Sequence, residues 1–79
     1  MYYVYRLKSI ESPKQNYTGF TTDVSKRLDA HNNGQVSHTS KYKPWKLMNY
    51  FTFLDEKKAK EFEVYLKSGS GRAFAKKHF

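Results

Sequence analysis

Seventy-nine residues allow one hydrophobic core and leave no room for a second domain or a lid. Seven Tyr, six Phe and one Trp must supply most of that core, and the lack of cysteine excludes disulfides and thiolate metal ligands. Fifteen Lys and Arg against seven Asp and Glu give a formal charge of +8, which suits a polyanionic partner better than a membrane surface.

The opening Met1-Tyr2-Tyr3-Val4-Tyr5-Arg6 lacks the charged region and apolar run of an export signal. No stretch is long enough to span a bilayer, so no membrane role and a cytoplasmic location are expected. Tyr2 to Lys8 is dense in aromatic and β-branched residues and predicts a strand. Ser9 to Gln15 is polar, holds Pro13 and predicts a turn into a second strand, Asn16 to Thr21. So short a polar link points to a hairpin.

Thr21-Thr22-Asp23 supplies caps for a helix over about Val24 to Asn32, ended by Asn33-Gly34. Val24, Leu28 and His31 give it one narrow inward face. Gln35 to Trp45 predicts a polar, basic loop and Lys46 to Phe53 a third strand. Asp55 caps a helix over about Glu56 to Lys67 with Ala59, Phe62 and Leu66 inward and Tyr65 beside them. Ser68-Gly69-Ser70-Gly71 predicts a break, and Arg72 to Phe79 a short basic helix that docks through Phe74. The expected fold is α+β, a small three-stranded antiparallel sheet packed with helices in the order β-β-α-β-α-α. The crossover helix places the first strand centrally. One domain, residues 1–79, is expected, and nothing in the pattern sets an oligomeric state.

Tyr3-Val4-Tyr5 and Tyr17-Thr18-Gly19 resemble the paired strand motifs of the GIY-YIG nuclease family. Arg27-Leu28-Asp29-Ala30-His31 is similar to that family's Arg-Leu-x-x-His helix, Pro44, Trp45 and Leu47 to its entry into the third strand, and Glu63 to its central helix glutamate. The resemblance runs from Tyr2 to about Lys77 and is greatest to the small single-domain bacterial members. It implies a metal-dependent DNA endonuclease that processes DNA by hydrolysing phosphodiesters with one Mg²⁺ or Mn²⁺ ion, leaving 5′-phosphate and 3′-hydroxyl ends. By resemblance Glu63 binds the metal, Tyr17 is the general base and Tyr5 orients water or phosphate.

The residue types fit those jobs. Arg27 and His31 are four apart and share a helix side, where a guanidinium fork suits a phosphate oxygen. Nearby positive charge is expected to lower a tyrosine pKa from its usual value near 10. Gly19 lies two residues beyond Tyr17 and allows close approach of a phosphate or a helix, or marks a bulge. His38, Thr39, Lys41 and Lys43 form a candidate nucleic-acid contact with hydroxyls, cations and the aromatic Tyr42. Lys8, Lys14, Lys76 and Lys77 are weaker candidates. Two departures stand out. Tyr3 occupies the motif's glycine position, and Phe20-Thr21-Thr22 replaces a basic residue common after the second motif, so that charge either comes from elsewhere, with Lys41 a candidate, or is missing. The alternative is a catalytically silent or weak nucleic-acid-binding module on the same scaffold. Composition alone does not separate DNA from RNA as its partner.

Overall fold

A computed structural model describes residues 1–78; Phe79, the end of the expected terminal helix, lies outside the described residues. Strands β1 (Tyr2–Ser9) and β2 (Asn16–Thr21) form the expected hairpin. Strand β3 (Trp45–Phe53) pairs antiparallel on the other side of β1, so the sheet order is β2-β1-β3 with the first strand central. Four helices complete the described residues: α1 (Val24–Asn32), α2 (Ser37–Ser40), α3 (Glu56–Lys67) and α4 (Gly69–His78). Residue Met48 is an extra residue in β3, because Arg6 pairs with Asn49 and Leu7 with Leu47.

The central strand is buried on both faces, which is why its apolar residues run together. Val4 packs with Ala59, Leu66 and Ala75 under α3 and α4, ringed by Phe20, Phe51, Phe53 and Phe62. On the opposite face Tyr5, Leu7 and Trp45 meet Tyr17, Leu28, Tyr42 and Leu47 beneath α1. Local caps hold α1 and α3 at their expected starts. The Asp23 carboxylate accepts from the Lys26 amide at 3.0 Å, and that of Asp55 from the Lys57 amide at 2.8 Å. Gly34, with φ of +74°, takes the left-handed turn that ends α1.

Two expected boundaries move. The loop predicted over Gln35 to Trp45 contains the single turn α2, and Trp45 begins β3 instead of ending the loop. Its indole N–H donates to the Thr39 carbonyl at 2.9 Å and its backbone N–H to the Asn32 side chain, so tertiary contacts recruit it. The expected break after α3 shrinks to Ser68, and α4 starts at Gly69. Gly71 lies against the Tyr65 carbonyl, where a Cβ would collide; it permits helix contact rather than a turn. Helix α4 buries Gly71 and Ala75, while Phe74 stays 38% exposed beside the Tyr65 ring. Among the described residues no helix is long and apolar enough to cross a membrane.

Candidate functional site

The sheet face beneath α1 carries a directed chain of hydrogen bonds. The register sets Tyr5 opposite Gly19 and Leu7 opposite Tyr17, so both tyrosines stand on this face. Helix α1 lays Arg27 and His31 over them. Thr39 donates its hydroxyl proton to the Val36 carbonyl at 3.3 Å and therefore accepts from His31 Nδ1 at 2.7 Å. A neutral His31 then has Nε2 as an acceptor, which takes the Tyr5 O–H at 2.7 Å. The Tyr5 oxygen in turn accepts from Arg27 Nε at 3.3 Å. The chain runs Arg27 to Tyr5 to His31 to Thr39 to Val36 with each donor matched to an acceptor.

Burial sets the protonation states. Tyr5 is 1% exposed and His31 fully buried. Burial pushes the Tyr5 pKa up to about 12, outweighing the hydrogen bond from Arg27. The expected lowering does not occur at Tyr5, because desolvation of the phenolate exceeds the attraction of one guanidinium. Burial, with help from the Arg27 charge, pushes His31 down to about 4 and keeps it neutral. The Tyr5 hydroxyl raises the Arg27 pKa.

Tyr17 is the half-buried phenol of the pair. Its ring lies 4.9 Å from that of His31 and 6.3 Å from that of Tyr5, and the Lys67 ammonium stands 5.6 Å from its centre. Lys67 also bonds Glu63 at 3.1 Å, so Glu63 on α3 is joined to Tyr17 through one lysine. Glu63 acts on Tyr5 as well, raising its pKa slightly. The structure thus brings Tyr5, Tyr17, Arg27 and His31 into mutual contact and sets Glu63 at their margin. Among the described residues no three His, Asp or Glu side chains cluster as metal ligands.

A family model described as the GIY-YIG catalytic domain matches residues 1–77. The chain belongs to the GIY-YIG family. It is similar to a UPF0213 protein of Streptococcus pyogenes serotype M3, 35% identical over 72 residues that cover 90% of this chain and 76% of the relative. A UPF0213 protein of Clostridium perfringens is 38% identical over 68 residues, 85% of this chain and 71% of that one. The solution NMR structure of a UPF0213 protein from Bacillus halodurans aligns with a TM-score of 0.56 and 31% identity, covering 96% of this chain and 81% of that chain.

The departures from the GIY-YIG motifs now have physical accounts. Tyr3, at the motif's glycine position, turns its ring edge to Tyr50 at 5.8 Å and fills the space with a ring contact. The Lys41 ammonium lies 5.5 Å over Tyr42, while the Lys67 ammonium stands 5.6 Å from the centre of the Tyr17 ring. Its signal was present, since a lysine four residues after Glu63 shares that helix face. Gly19 admits neither phosphate nor bulge: the Tyr5 phenol lies where its Cβ would be, and the β1–β2 pairing is regular. Thr39 is 1% exposed and cannot face a nucleic acid; it holds His31. His38, Lys41 and Lys43 are exposed on and after α2, where such contact is physically open to them.

Proposed function

We propose that the protein binds the phosphodiester backbone of nucleic acid, DNA first, at the surface formed by Tyr17, Arg27 and Lys67. Arg27 carries this reading. Its guanidinium is anchored through Nε on a buried tyrosine, and an arginine fixed in that way retains Nη donors for two-point contact with a phosphate. The formal charge of +8 adds long-range attraction. Anisotropy of a labelled DNA oligonucleotide tests it: Arg27→Ala weakens salt-sensitive binding about tenfold or more, as loss of a charged hydrogen bond implies. Unchanged affinity in that variant refutes the reading.

A second reading, metal-dependent DNA hydrolysis, is favoured by the meeting of two phenols, a guanidinium and an imidazole beside Glu63. Mg²⁺ or Mn²⁺ needs oxygen ligands, and Mg²⁺ accepts a single carboxylate with water and phosphate for the rest. The Glu63 side chain is 20% exposed. Its Lys67 partner forms a helix-surface pair of the kind that contributes roughly 0.3–0.5 kcal/mol, which a divalent ion would readily offset. The donor set therefore fits one ion, whose charge would offset that of the phosphoryl oxygens. Tyr17 is the phenol positioned to take the proton of an attacking water. Tyr5 is not, because its proton is held on His31 and its phenolate is strongly disfavoured. Tyr5 and His31 instead hold Arg27, which stabilises the developing charge. DNA incubated with Mg²⁺ should be cut into 5′-phosphate and 3′-hydroxyl ends, and Glu63→Gln should stop this with the fold intact. Equal cleavage by the variant overturns the hydrolytic reading, and no product from linear, flapped or branched DNA leaves binding as the function.

A further inference from the structure

A concavity of about 870 Å³ lies across the β2 edge from the buried hydrogen-bond chain. Its floor is the half of the sheet nearest the β1–β2 turn, on the face that α3 and α4 cover elsewhere. There Arg6 and Lys8 of β1 stand opposite Thr18 and Asn16 of β2. The end of α3 and the body of α4 form one wall, and residues 13–15 close one end. A sheet face beneath helices is ordinarily apolar, as Val4, Phe20 and Phe51 are under α3. Beyond them the same face turns cationic.

Six cations line the cleft, Arg6, Lys8, Lys14, Lys67, Arg72 and Lys76; among the described residues no carboxylate lines it, and the nearby Glu63 pairs with Lys67 alone. So many like charges around one concavity repel one another unless an anion enters. Arg6 also leaves one donor unmatched. Its Nη1 is buried with no hydrogen-bond partner among the described residues, and Asn49 Oδ1, opposite it on β3, shares that state. Buried donors are almost always paired, and these two groups, a donor and an acceptor facing each other on neighbouring strands, can satisfy one another by a small side-chain shift.

We propose that this cleft carries the sugar-phosphate backbone of a single nucleic-acid strand that continues from the Arg27–Tyr17 surface. The inference rests on the binding reading above. Tyr17 links the two places, since its ring meets His31 on one side and lines the cleft on the other. A flexible strand can enter a hollow between a helix and a sheet, with Tyr17, Met48 and Pro13 offering apolar surface to its sugars and bases. A duplex is rigid and convex and would rest on the outer lysines alone.

Anisotropy of a labelled oligothymidylate and of a duplex of equal length, over a salt series, provides the test. The exposed pair Lys14→Glu with Lys76→Glu is compared with Arg27→Ala and with Lys57→Glu plus Lys58→Glu, a control of equal charge change at the far end of α3. Thermal melts check each fold. The cleft pair should weaken single-strand binding more than tenfold and lower the slope of log affinity against log salt by about 1.4, roughly 0.7 for each of two lost phosphate contacts. An equal loss in the control pair overturns the proposal, because net charge then explains it. Loss confined to Arg27→Ala overturns the cleft and leaves the Arg27 surface, whereas loss confined to the cleft pair overturns the Arg27 surface and leaves the cleft. Equal effects of the cleft pair on duplex and single strand overturn the choice of a single strand.

Discussion

Acidification probes the buried imidazole most directly. His31 has no exposed surface, and burial together with the Arg27 charge takes its pKa from the usual 6.5 to about 4. In the unfolded chain the same ring binds a proton near pH 6.5. Between those values the unfolded state holds more protons, so folding stability rises with pH across the window. The contribution is complete above pH 6.5 and is lost as pH falls toward 4. At about 1.4 kcal/mol per unit, the gap amounts to roughly 3 kcal/mol, a large share of the 5–15 kcal/mol that typically holds a domain together. Urea unfolding of the wild type and of His31→Gln, in steps from neutral pH to about pH 4, reads it out. The glutamine variant should be weaker at neutral pH, because it loses a buried hydrogen-bond chain. The difference between the two should then shrink by roughly 3 kcal/mol as the pH falls, since carboxylates common to both cancel. A constant difference over the whole window would refute a neutral, buried His31.

Three further outcomes follow from the packing. Gly19→Ala drives a methyl into the Tyr5 phenol and should cost about 1–3 kcal/mol, seen as a fall in melting temperature of about 4–8 °C for each kcal/mol. Thr39→Val removes the acceptor for His31 Nδ1; stability should fall by roughly 1–3 kcal/mol, and the ring ¹⁵N shifts should depart from the Nδ1-protonated pattern of the wild type. Gly71→Ala forces α4 away from the Tyr65 carbonyl, so a lower melting temperature should come with weaker oligothymidylate binding as the cleft wall moves.

Elements governed by local chemistry were legible in the sequence. Asp23 and Asp55 mark helix starts through contacts three residues or fewer away, and the Pro13 turn joins two strands with little freedom to do anything but pair. Helix α2 was not legible, because Ser37-His38-Thr39-Ser40 has weak helical preference and is held by Trp45 and His31 from other elements. At the site, spacing placed Arg27 and His31 on one side of α1 and the two tyrosines on neighbouring strands, whereas the register that sets both tyrosines on one face comes only with the fold. Spacing did not reveal that α1 would lay Arg27 and His31 over Tyr5 and bury it, which reverses the direction of its pKa. Motif matching stopped at Glu63 and so passed over Lys67, one turn further along the same helix. The cationic cleft was hidden for a different reason: its lysines and arginines come from β1, from the β1–β2 turn, from α3 and from α4, and only the fold gathers them.

The extra residue at Met48 has a consequence for how copies of the chain behave together. Strand β3 is a sheet edge nine residues long, and an edge of that length offers a template for a strand from another molecule. The register change at Met48 puts the two halves of β3 out of step with each other. An incoming strand could therefore match one half only, and Lys46 adds charge near the edge's start. This sheet should stay open at that side without recruiting neighbours into fibrils, even when the protein is concentrated.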